Sequence, residues 1–181
     1  MKTSMNTATA LLAVSLLAGC ASTGTTPSSV ADLSIDRGRG LAAVNAFRAE
    51  NGLKPLTVDE RLMAAAAAQS EAMARHDKMD HAVDGPLPGR VERVGYRWGT
   101  TAENIARGYK DYDEAMVGWV HSPGHRKNLL NPNVTQIGFA GAQMPGNPRP
   151  YWAQVLASPS KYPAKPSAEK PLRWGPELRF P

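Results

Sequence analysis

The stretch His121 to Pro132, HSPGHRKNLLNP, constrains the fold more than any other, because a proline interrupts it. Proline lacks an N–H and pushes the preceding residue out of helical geometry, so a helix arriving at His121 must stop there. Ser122 then reads as the N-cap of a new short helix, with Pro123 at its first position and Asn131-Pro132 closing it. The break decides how two histidines relate. On one continuous helix His121 and His125 would share a face, the usual grip on a metal ion. With the break, His121 is stranded on the earlier helix. His125 enters the first turn of the next one, where the positive end of the helix dipole disfavours imidazolium and leaves it able to ligate a metal or accept a proton.

Other segments follow from periodicity and punctuation. Leu41, Val44 and Phe47 recur at three-residue steps in an amphipathic helix over 36–50 that ends at Asn51-Gly52. Thr57-Val-Asp-Glu60 has capping-box spacing and opens a second helix, which runs through a row of alanines to about Ala74. Glu114 to Val120 reads as a helix with Ala115, Met116 and Trp119 inward. Val134 to Ala142 and Tyr151 to Ala157 read as strands joined by the proline-rich loop Met144 to Pro150. Helices precede and separate short strands without regular alternation, so the class is α+β.

Around this domain, 36–157, the ends differ in kind. Residues 1–19 carry Lys2, a short apolar stretch and then small residues before Cys20. The stretch is too short to span a membrane and is patterned as a secretory signal. Cys20 is the only cysteine, so no intramolecular disulfide forms. Residues 20–35 read as a polar, flexible tether. The tail, 158–181, is rich in proline and lysine and holds five basic and two acidic side chains, whereas the domain is nearly balanced with 15 and 13. That distribution argues against nucleic acid, which would call for a dense basic face on the domain itself. Nothing supplies an activated nucleophile: Gly-x-Ser-x-Gly, HExxH and a second cysteine are all absent from the chain.

Two resemblances sharpen this reading. The first twenty residues resemble a bacterial lipoprotein signal, which implies lipidation (palmitate among the acyl groups) of Cys20 and attachment to the envelope membrane, the outer membrane in a Gram-negative host. NAFRAENGLKPL, AENIARG, HSPGHRKNLLNP, IGFAGA and YWAQVLA, in that order, resemble the bacterial CAP (SCP/PR-1-like) domains over about residues 36–157. That resemblance implies a three-layer α-β-α sandwich with an antiparallel sheet and a central cavity lined by two histidines and two acids. His81 matches the histidine after the second helix, with Met-Asp-His in place of Phe-Ser-His. Glu103 matches the acid of the Glu-Asn-Ile motif, and His125 the histidine of the SPGHR motif. A second acid has no clean counterpart, and Asp84 and Glu92 are the candidates.

Together His81, Glu103 and His125 form an expected mixed N/O site for a divalent metal, Zn²⁺ first, with one position open. Asn104 and Arg126 are expected to brace it, Asn128 to tie the turn, and His76 and His121 to sit at helix ends without a role. The favoured function is non-enzymatic binding of a lipid, sterol-like or peptidoglycan ligand by a monomer. Two alternatives stay open: a metal-assisted hydrolase with Glu103 as general base and His125 as a further catalytic candidate, and an envelope-attachment protein acting through its basic tail.

Overall fold

The computed structural model describes residues 29–162. The signal, Cys20, most of the tether and the tail beyond Tyr162 lie outside them. Five strands and five helices follow in chain order: β1 Ala31–Leu33, α1 Arg37–Glu50, β2 Thr57–Val58, α2 Glu60–His76, α3 Leu87–Arg93, β3 Trp98–Arg107, α4 Tyr112–His121, α5 Pro123–Leu129, β4 Gln136–Gln143 and β5 Tyr151–Pro159.

The proline break is real: α4 ends at His121, and α5 begins at Pro123. Ser122 stands between them with extended backbone, its carbonyl accepting the first bond of α5 from Arg126 N–H, though its hydroxyl caps nothing. The helix over 36–50 is also present, capped by the Asp36 carboxylate on Arg39 N–H. The expected capping box is not. Asp59 takes the N-cap of α2 and accepts from Arg61 N–H at 2.9 Å, because Thr57 is drawn into β2, where its N–H donates to Thr135. The tether boundary also moves, since residues 31–33 pair as β1 with β4 and Leu33 packs on the core.

The sheet order is β1-β4-β5-β3, antiparallel throughout, with β2 added in parallel to the end of β4 that β1 leaves free. Side-chain alternation splits the core in two. Ile137, Phe139, Trp152, Leu156 and Ala106 face α1, α4 and α5, while Ala142, Tyr151, Ala153, Val155 and Ile105 face α2 and α3. This is the three-layer α-β-α arrangement. The alanine-rich face of α2 (Ala65, Ala66) lies so close to β4 that a Cβ on Gly138 would come within 2.0 Å of the Leu62 carbonyl carbon. Small residues on both sides permit that approach.

Candidate functional site

Among the described residues β3 is an edge strand: it pairs with β5 and has no strand on its other side. Exposed strand edges leave backbone groups without partners. Here the edge is covered by side chains instead. The Glu103 carbonyl accepts from Asn128 Nδ2 at 3.0 Å, and the Ile105 carbonyl accepts from Trp119 Nε1 at 3.1 Å. The motif Glu103-Asn104-Ile105 therefore fastens α4 and α5 to the sheet.

Alternation sends neighbours in that motif to opposite faces. Glu103 sits across from Val155, on the α2/α3 face, and Asn104 across from Gln154, on the other. Asn104 Nδ2 donates to Gln154 Oε1 at 3.1 Å and to the His125 carbonyl at 3.4 Å, and Asn104 Oδ1 accepts from Asn128. Gln154 Nε2 in turn donates to the Tyr112 hydroxyl. Asn104 thereby ties β3 to β5 and to α5 through a chain of side-chain bonds.

On the α2/α3 face the Glu103 carboxylate is 2% exposed and engaged on both oxygens. Oε1 accepts from Arg90 Nη2 at 2.6 Å, and Oε2 meets His81 Nδ1 at 2.7 Å. Arg90 is itself 1% exposed and is anchored further by Nε to the Gly85 carbonyl and Nη2 to the His81 carbonyl. Two opposite charges buried together make the interior tolerable for both. His81, from the α2–α3 connection, stays 59% exposed in its side chain. The carboxylate hydrogen bond raises its pKa above the usual imidazole value, outweighing the opposing effect of burial. A carboxylate behind Nδ1 orients the ring and leaves Nε2 for a ligand.

His125 does not join this contact. Its pKa is lowered, by burial first and by the charge of His81 second, and its Nδ1 is buried without a hydrogen-bond partner among the described residues. Desolvation, rather than the helix dipole, is thus the first cause of that lowering. The cavity beside His81, about 480 Å³, is lined by His81, Ala82, Pro86, Leu87, Glu103 and Asn128. α5 contributes Asn128 to it rather than His125.

Among the described residues, no group of three or more His, Cys, Asp or Glu side chains is placed to hold a metal. The chemistry of the donors agrees, because a guanidinium already compensates the one carboxylate and a dication would have to displace it. The site as folded does not fit the expected Zn²⁺ trio. The candidate second acids are occupied elsewhere, Asp84 by Arg93 and Glu92 by the Trp98 indole at 3.0 Å. The fourth member is Arg90, a base. Arg126 braces α5 against α1 instead, stacked 4.7 Å over Phe47 and donating to Asn51. His76 and His121 are exposed at the last residues of α2 and α4, and His121 Nδ1 bonds the Val117 carbonyl.

Sequence reading missed Arg90 and the role of Asn128. The one available signal for Arg90 was a charged residue beside Val91 on the apolar side of a short helix.

A family model described as CAP, the cysteine-rich secretory protein family, matches residues 41–156. A Bacillus subtilis protein named Uncharacterized protein YkwD is 39% identical over 120 residues, covering 64% of this chain and 46% of that protein. An extracellular protein containing a SCP domain from Bacillus anthracis superimposes with a TM-score of 0.59 at 27% identity, over 66% of this chain and 39% of that one. The chain spans less than half the length of these two relatives. An outer surface protein from Borrelia burgdorferi has the same fold, with a TM-score of 0.63 at 17% identity over 72% of this chain and 98% of that one.

Proposed function

Because the chain belongs to the cysteine-rich secretory protein family, CAP, we propose that it is an envelope protein, attached through lipidated Cys20, that binds a small amphipathic ligand in the His81 cavity without consuming it. The observation that carries this is the Arg90–Glu103–His81 contact, at 2.6 and 2.7 Å. It neutralises the buried charge, leaves Nε2 of His81 as the polar contact, and sets that contact beside the apolar walls of Ala82, Pro86 and Leu87. Ligand sites of this kind combine a mostly apolar lining with a few placed polar groups, and about 480 Å³ is a ligand-sized volume. The extracellular relative from Bacillus anthracis supports the location. No helix among the described residues is long and apolar enough to cross a membrane.

The test is equilibrium binding of a fluorescent fatty acid, dansylated undecanoic acid, to the purified protein. Saturable one-to-one binding, weakened about tenfold or more by Leu87→Asp, is expected. It should tighten as pH falls and His81 gains a proton that pairs with the fatty-acid carboxylate. Binding that Leu87→Asp leaves unchanged would remove the cavity from the proposal.

The same contact favours one second reading, hydrolysis. A carboxylate held on both oxygens fits orienting a base better than being one, so the general base would be His81 Nε2 rather than Glu103. Release of p-nitrophenol from p-nitrophenyl esters, lost in His81→Ala, would support it.

A further inference from the structure

A second groove lies at the start of β3 and shares no lining residue with the His81 cavity. Its volume is about 600 Å³, and it is bounded by the start of β3, the 132–135 segment before β4 and the chain leaving β5. The β3–β5 register shifts between Trp98 and Thr100, a bulge that ends regular pairing there. Bulges recur where a sheet is shaped for a site.

The lining is polar in an unusual way. Thr100, Thr135 and Ser158 contribute hydroxyls, Asn133 an amide and Lys161 an ammonium, and no Asp or Glu among the described residues lines the groove. The side chains of Thr100, Asn133, Thr135 and Ser158 make no hydrogen bond to other described residues, although the backbone N–H groups of Asn133 and Thr135 are both bonded. At one wall Tyr162 is 81% exposed, the largest exposure among the large hydrophobic side chains described. Its backbone is nonetheless held on both sides. The N–H donates to Ser160 Oγ at 3.2 Å, and the carbonyl accepts from Arg97 Nη2 at 3.0 Å, while Ser160 N–H donates to the Arg97 carbonyl at 2.8 Å. An exposed aromatic ring on an anchored backbone gives a flat apolar face beside a row of groups that both donate and accept.

We infer that this groove is a binding site for a short stretch of hydroxyl-rich glycan bearing carboxylates. A pyranose ring has an apolar face for Tyr162 and hydroxyls at its rim for Thr100, Thr135, Ser158 and Asn133. The ammonium of Lys161, with no acid among the described lining residues, favours a carboxylate on the sugar over an amine. The site is independent of the His81 cavity, so either can fail without the other.

Isothermal titration calorimetry of the full-length protein in mild detergent, with a hyaluronan tetrasaccharide as the acidic probe and chitotetraose as the neutral one, tests it. Both should bind at submillimolar to millimolar sugar, the acidic one more tightly. Tyr162→Ala should weaken both about fivefold, the order expected from one stacked ring. Lys161→Gln should weaken the acidic sugar alone, about threefold, as one exposed charge pair would. Lys127→Gln, an exposed charge change on α5, should alter neither, and unchanged melting of all three variants would exclude misfolding as the cause. No heat from either sugar at millimolar concentration would overturn the inference. So would Tyr162→Ala binding as tightly as wild type, or Lys161→Gln losing attachment to anionic lipid vesicles while neither sugar binds.

Discussion

Replacing Arg90 by Met isolates the buried charge pair on which the site rests. The guanidinium is 1% exposed and gives Glu103, itself 2% exposed, its closest cationic partner. Met fills most of the volume, so the cavity contribution is small and the loss is chiefly electrostatic. Removing one member of a buried pair costs about 3–5 kcal/mol, because the other is left uncompensated. The Gly85 and His81 carbonyls lose their donor at the same time, which places the expectation toward the upper end of that range. Against a typical domain stability of about 5–15 kcal/mol, the variant should be folded but marginal. Urea denaturation followed by tryptophan fluorescence measures it. The decisive comparison is the double variant Arg90→Met, Glu103→Gln, in which neither charge remains. It should recover at least half of the loss, about 1.5–2.5 kcal/mol, so the coupling is that recovery plus whatever Glu103→Gln costs alone. A single variant that loses less than about 1 kcal/mol, or a double variant whose loss equals the sum of the singles, would refute the reasoning that Arg90 compensates Glu103.

The two histidines near the edge of β3 should titrate on opposite sides of about 6.5: His81 above, raised by its bond to Glu103, and His125 below, lowered by burial. NMR of the imidazole resonances reads this directly, and finding His125 the more basic would contradict the geometry. The linkage signs follow. The contribution of His81 is fully present below its unfolded value and fades as pH rises through its folded one, whereas that of His125 is present above its unfolded value and is lost as pH falls through its folded one. Asn128→Leu strips the donor from the Glu103 carbonyl and from Asn104 Oδ1, so about 1–3 kcal/mol of stability should be lost, with faster amide exchange in β3. Gly138→Ala would drive a methyl into the Leu62 backbone, which no rotamer change relieves. Its cost should reach or exceed about 3 kcal/mol in thermal melts, and a near-wild-type Tm would show that α2 is not seated against β4 as described.

Local chemistry decided much of the chain in advance. Pro123 ends α4 whatever surrounds it, because the steric clash and the missing N–H are properties of one residue and its neighbours. Asn51-Gly52 stops α1 for a similar reason, with Gly52 at φ 72. The runs of β4 and β5 were legible because alternation and a proline-rich loop are short-range signals. Where two local signals competed, tertiary contacts chose: Thr57 could cap a helix or extend a strand, and β4 supplied the partner that drew it into β2. The candidate site was legible only as residue types. His81 and Glu103, named from motif resemblance, do meet, but their chemistry depends on Arg90, 13 residues from Glu103 and on another element. Charge compensation in a low-dielectric interior is a property of where side chains end up, and no spacing in the chain encodes it. That His125 stays out of the Glu103–His81 contact has the same origin. It follows from which edge of β3 stays unpaired and from α5 answering that edge with Asn128, which only the assembled sheet determines.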